Sequence, residues 1–280
     1  MLRHTKELEK RSNKDRTDYV KKQLQRLKVN YEIQSFKHKI LRGENIIVTE
    51  FCDDDKNQLL LTAHTNKYFS SPGANDNASG VAVLLKIIGN LKRLNLKKTN
   101  QVKIVFFDHE DGLAYLDGST YFANHNNLTH INFVLNLDGV GMGNSFTVSP
   151  EITNETKNAY KIHLLKLFRE SEIKFHSFNL PPLMIEDHIP FITKGVSAVS
   201  LNLMSKQDMN YLVRMEKKSF ITKFAIYLFY RGIFSKKHPM AIMRHRHNEL
   251  DTSEYIDISS LELCERITMQ MVDFHMCSTS

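Results

Sequence analysis

Two segments constrain the fold of this chain most: Val102–Asp108 (VKIVFFD) and Ile131–Asp138 (INFVLNLD) are short, nearly continuous apolar strands. Runs without an in/out alternation occur where a sheet is covered on both faces. Val196–Leu203 (VSAVSLNL) has the same character. Between such runs the period changes: Ser79–Leu94 places Val81, Leu84, Leu85, Ile88 and Leu91 on one helical face, and Arg16–Leu27 does so with Val20, Leu24 and Leu27. Asn45–Glu50 and Leu59–Thr62 read as strands joined by the acidic turn CDDDKNQ, with a helix over about Thr153–Glu170 and a strand near Ile173–Ser177. The closing segment repeats Cys264, Ile267, Met271 and Phe274 at helical spacing behind a cap at Asp257 or Ser259. This alternation predicts an α/β fold, a mixed β-sheet flanked by helices on both faces.

With 280 residues and 41% hydrophobic content, the chain suits a single domain over 1–280. One segment fits less well. Between Ser205 and Arg244 the aromatic run FITKFAIYLFYRGIF lies among basic loops, and it suits either an inserted lid over 205–244 or a core helix apolar nearly all round. The net charge is +7, but lysine and arginine are spread along the chain, and no nucleic-acid motif accompanies them. Three cysteines without framework spacing predict free thiols, not a disulfide scaffold or a cysteine zinc site. The N-terminal MLRHTKELEKRSNKDR is charged where a secretory signal needs an apolar core, and no run approaches the ~20 apolar residues that span a bilayer. The expectation is a cytoplasmic protein with neither membrane nor nucleic acid as partner.

Polar residues collect where the buried strands end. His64 follows LLLTA, Asp76 sits in the turn SSPGANDNASG, Glu110 and Asp111 follow VKIVFFDH, and Asp138 ends INFVLNLD. His247 stands in RHRHNELDT ahead of the last helix. Ligands of open α/β sheets bind outside the carboxyl ends of the strands. Each residue alone has an ordinary role, such as turn geometry for Asp76 or a strand exit for Asp138. Together, two imidazoles and three carboxylates are enough for a pair of zinc ions about 3.5–4 Å apart, provided one carboxylate bridges them. A further carboxylate is then left to act as base, a division that a Glu-Asp pair at a strand terminus can supply because adjacent side chains diverge.

In this order AHTN, SPGANDNASGVAVLL, VFFDHEDGL, LNLDGVG, EDHIPFITKGV and HNELDT resemble the zinc-dependent exopeptidase family of dizinc aminopeptidases, whose superfamily includes glutaminyl cyclases and glutamate carboxypeptidases. The resemblance covers about Arg16–Phe274. It implies a phosphorylase/hydrolase-like three-layer sandwich and a zinc-dependent aminopeptidase, two ions per chain, acting on peptides with a free N-terminus. His64 and Asp138 would hold one ion and Asp111 and His247 the other, with Asp76 bridging. Glu110 would be the general base, moving a proton from the attacking water to the leaving amine. Asp187 and His188 match a segment beside the substrate pocket.

Two positions depart from the family pattern. Asn66 stands where an acid usually orients the first imidazole, so its amide oxygen is expected to accept the His64 ring N–H. The usual Glu-Glu is Glu110-Asp111, a pair found in some glutaminyl cyclases that use one zinc on the positions matching Asp76, Asp111 and His247. A single-zinc cyclase forming N-terminal pyroglutamate is therefore the second reading, although the chain has no Trp for such a pocket. The third is a catalytically impaired binding protein of the same fold.

Overall fold

Along the central strands the side chains divide by parity. Leu59, Leu61 and Ala63 join Ile104, Phe106, Phe133, Leu135 and Leu137 in one apolar cluster, while Leu60, Val105, Phe107 and Val134 belong to a second. Period-two alternation in a strand buried on both sides requires two such cores. The computed structural model describes residues 1–38, 41–53, 57–95, 101–110, 116–153, 157–179, 186–219, 222 and 237–279.

Eight strands form one mixed sheet in the order β1-β2-β4-β3-β5-β8-β6-β7. They are β1 (Tyr31–His38), β2 (Leu41–Val48), β3 (Gln58–His64), β4 (Val102–Phe107), β5 (Ile131–Leu137), β6 (Ser145–Ser149), β7 (Phe175–Ser177) and β8 (Ala198–Met204). The centre, β4-β3-β5-β8, is parallel. On one side β2 and β1 add antiparallel, and on the other β6 pairs antiparallel with β8 and parallel with β7. The α/β sandwich expected from the sequence is the fold observed.

The larger core lies under α1 (Leu2–Glu9), α2 (Asn13–Arg26), α3 (Gly80–Arg93), α5 (Ala159–Glu170) and α9 (Ile258–Thr279). Val81, Leu84, Ile88 and Leu91 of α3 are fully buried, each contributing about 1.5–3 kcal/mol of apolar transfer. On the opposite face Phe122 of α4 (Asp117–His125) and Phe191 of α6 (Ile189–Thr193) pack on Phe107.

Local chemistry corrects one boundary that periodicity misplaces and decides another that it left open. Helix α5 starts at Ala159 rather than near Thr153, because the Asn158 side chain accepts the N–H groups of Tyr160 and Lys161. Of the two caps considered for α9, Asp257 accepts the Ser259 N–H. The segment 205–244 begins with α7 (Lys206–Glu216) and ends in α8 (Ala241–His245), and its aromatic run lies outside the described residues except for Thr222. Among the described residues no helix is long and apolar enough to cross a membrane.

Candidate metal centre

The chain leaves β3 to form β4 on one side and returns to form β5 on the other, so the carboxyl ends of these parallel strands open a crevice. His64 is the last residue of β3, Asp138 follows β5, and Glu110 stands three residues beyond β4. Asp76 arrives from the turn Ala74–Ser79, whose dihedrals leave the helical range at Asp76 and Asn77 before α3 begins.

These four side chains converge. His64 Nε2 lies 3.3 Å from Asp76 Oδ1, 3.6 Å from Asp138 Oδ1 and 3.7 Å from Glu110 Oε2. All four residues are at most 5% exposed. His64 Nε2, Asp76 Oδ1 and Asp138 Oδ2 are buried without a hydrogen bond. Burial works against a charged imidazole, yet the Glu110 carboxylate, with Asp138 and Asp76, outweighs it and holds the His64 pKa well above its usual value. Three carboxylates packed around one imidazole favour a cation, and His64, Glu110 and Asp138 each offer a ligand atom within 4.8 Å of the others. An imidazole nitrogen with carboxylate oxygens is a donor set that zinc accepts, so the residues present fit the ion.

Hydrogen bonds over long sequence separations set this geometry. The His64 ring donates from Nδ1 to the backbone carbonyl of Asn66 (3.1 Å), which turns Nε2 toward the carboxylates. The Asn66 amide oxygen, expected on that ring, instead accepts the backbone N–H of Glu110 (2.9 Å). The reason is local: two residues beyond His64 the main-chain carbonyl already reaches the ring, and the side chain projects to the neighbouring strand end. Asn77 donates to the Leu137 carbonyl (2.7 Å) and Asn75 accepts the Gly141 N–H (2.8 Å), so the NDN turn is fastened to the end of β5. Arg16, fully buried in α2, donates to the Gly73 carbonyl (3.0 Å).

Asp251 carries more of this framework than the sequence reading assigned to it. Its two oxygens accept the backbone N–H groups of Asn75 (2.6 Å) and Asp76 (3.1 Å). Burial, and then the Asp76 charge, push its carboxyl up to about 7. The signal available was its place in HNELDT, four residues after His247.

On its other side Asp76 meets the RHRHNELDT segment. Asp76 Oδ2 is 2.8 Å from Arg246 Nε and 3.2 Å from His247 Nε2. Burial raises the Asp76 pKa, but the Arg246 charge and the close approach of the His247 and His64 rings bring it well below the carboxylate range. His247 adopts a left-handed backbone (φ 62°), and its ring stacks on Tyr68 with centroids 4.8 Å apart. Asp111, expected beside His247, lies outside the described residues. Arg246 was not singled out in the sequence.

The EDHIPF segment reaches the centre through its first residue. Asn202 donates to the Asp138 carbonyl (2.6 Å) and to Glu186 Oε1 (3.4 Å), and burial, then the Asp138 charge, push the Glu186 carboxyl up to about 7. Asp187 and His188 are buried side chains, and burial followed by the Lys161 charge lowers the His188 imidazole to about 3.

The profile of peptidase family M28 matches residues 45–272, which takes in every residue of this centre. This chain belongs to peptidase family M28. It is 30% identical over 147 residues to aminopeptidase YwaD of Bacillus subtilis, a match covering 50% of this chain and 30% of that relative. The chain thus spans under a third of the length of that curated relative. Among solved structures the M28 chain resembles a glutaminyl cyclase from Porphyromonas gingivalis (TM-score 0.69, 20% identity), covering 97% of this chain and 96% of that one. It also resembles BSAP, a zinc aminopeptidase from Bacillus subtilis (TM-score 0.57, 20% identity), over 82% of this chain and 49% of that one. At such identities the structural likeness shows that the M28 chain shares their fold.

Proposed function

We propose that this M28 chain is a metal-dependent aminopeptidase that releases N-terminal residues from peptides, with Glu110 as general base. The observation that carries the reading is the buried cluster in which Asp76, Glu110 and Asp138 surround His64 Nε2 at 3.3–3.7 Å. The cofactor is zinc, held by His64, Asp138 and Asp76. When bound, it polarises the scissile carbonyl and lowers the pKa of the attacking water toward ~7.

The rest of the chemistry belongs to the chain. Glu110 is 1% exposed and its backbone is pinned by Asn66, so its carboxylate is held at a fixed place beside the ion's ligands. It takes one proton from the attacking water and gives it to the amine that leaves when the C–N bond breaks, which regenerates the carboxylate. Asp187 and His188 belong to the substrate side, connected with the centre through Glu186 and Asn202. The 205–244 segment serves as a lid on a single 1–280 domain. Its support is the small separate cluster of Met204, Met209 and Met240, together with the Asp208 carboxylate accepting the N–H groups of Ala241 and Ile242. Three cysteines without a disulfide favour the cytoplasm as its location.

The test is Glu110→Gln on zinc-loaded protein with aminoacyl anilides and short peptides. Release should fall by at least about 10²-fold, the usual contribution of a positioned base, while zinc content stays at the wild-type level. Equal release by the two proteins overturns the reading. Pyroglutamate formation from Gln-peptides, with no amino acid released, makes the chain a cyclase instead.

A further inference from the structure

Arg246 contacts both Asp76 and His247, the two described residues that the family pattern would give to a second ion. Its Nε lies 2.8 Å from Asp76 Oδ2 and donates to His247 Nε2 at 3.2 Å. A guanidinium has no acceptor and keeps its protons at any physiological pH, so the nitrogen it donates to must offer a lone pair. His247 Nε2 therefore spends on Arg246 the lone pair that a zinc ion would need, and Asp76 Oδ2 spends its charge on the same group. The Asp76 carboxylate is divided accordingly, with Oδ1 turned to His64 and Oδ2 to Arg246.

We infer that this chain holds one zinc ion, on the His64–Asp138 side of Asp76, and that the Arg246 guanidinium, in contact with both Asp76 and His247, takes the place of a second ion there. Asp76 then bridges a metal and a guanidinium instead of two metals. Geometry agrees, because Tyr68 stacked on the His247 ring at an interplanar angle of 9° holds that imidazole against Arg246. This inference rests on the zinc reading above but not on the reaction assigned to it.

The experiment is a zinc count by elemental analysis and calorimetric titration on the full chain, for wild type, Arg246→Met, Arg246→Gln, Asp138→Asn and His247→Ala, with thermal unfolding as the control for folding. Wild type should bind one ion per chain. Arg246→Met and Arg246→Gln should bind two, Asp138→Asn should lose the single ion, and His247→Ala should keep it. Two ions on wild type overturn the inference and leave the aminopeptidase reading standing. One ion on wild type and on both Arg246 variants overturns it too, because the guanidinium would then block nothing. Loss of the ion in His247→Ala but not in Asp138→Asn places the metal on the wrong side of Asp76 and is equally fatal. No zinc on any variant overturns this inference and the zinc reading together. Counts that rise from one to two while Glu110→Gln leaves activity unchanged uphold the inference and sink only the proposed reaction.

Discussion

Asp251 clamps Asp76 through the main chain, its two carboxylate oxygens accepting the N–H groups of Asn75 and Asp76 at 2.6 and 3.1 Å. Asp251→Ala leaves both buried donors without that acceptor, at about 1–3 kcal/mol each. We expect the midpoint of urea unfolding to fall by a margin consistent with that loss. Zinc affinity should drop about 10–100-fold, as is usual when a group that orients a ligand is removed. An unchanged affinity with lowered stability would confine Asp251 to a scaffolding role.

Asn66 holds two residues of the centre by different groups: its side chain accepts the Glu110 N–H, and its backbone carbonyl accepts from the His64 ring. Asn66→Ala therefore keeps the carbonyl and removes the side chain's hold on Glu110. The expected outcome is a kcat lowered at least about tenfold, a fraction of what a general base contributes, with zinc affinity close to wild type. A variant that loses zinc in proportion to activity would show that the side chain supports the metal after all.

Gly80 tests how closely α3 approaches β5. A Cβ there would lie 2.5 Å from the Leu137 carbonyl oxygen and 2.6 Å from Asn77 Oδ1. In an open helix Gly→Ala gains up to about 1 kcal/mol. Here Gly80→Ala must push apart the two elements that carry Asp76 and Asp138, and we expect a loss of about 1–3 kcal/mol in denaturant unfolding. Gly89, whose added Cβ meets nothing within 4 Å, is the control, and Gly89→Ala should be neutral or stabilising.

His4 gives the fold an acid sensitivity remote from the metal centre. Its ring bonds the Tyr19 hydroxyl (2.8 Å), and burial, then the N-terminal and Arg3 charges, lower its pKa from 6.5 to about 4. The unfolded chain binds this proton near pH 6.5 and the folded chain only near 4. The contribution is thus fully present above pH 6.5 and is lost as the pH falls through that window, amounting to about 1–3 kcal/mol. Urea unfolding at pH 7 and pH 4.5 should show a smaller decrease for His4→Gln than for wild type.

The alternation of apolar strands with amphipathic helices is local information, and it determined the mixed α/β sheet covered on both faces. The ends of those strands, with the turn before α3, likewise offered His64, Asp76, Glu110 and Asp138 as candidates, because together, though not singly, they make a compatible set of ligands. Less was legible where burial is partial. The edge strand β1 buries little beyond Phe36, and α1 only Thr5 and Leu8, so neither left an apolar pattern to read. What tertiary structure alone decided is which atoms meet: Asp251 reaches the Asn75 N–H across 176 residues, Asn66 turns its side chain to one neighbour and its carbonyl to another, and Arg246 packs against both Asp76 and His247. Candidate ligands are legible as residue types at strand ends. Their partners are fixed by directional hydrogen bonds and ion pairs between elements distant in sequence, which no local periodicity records.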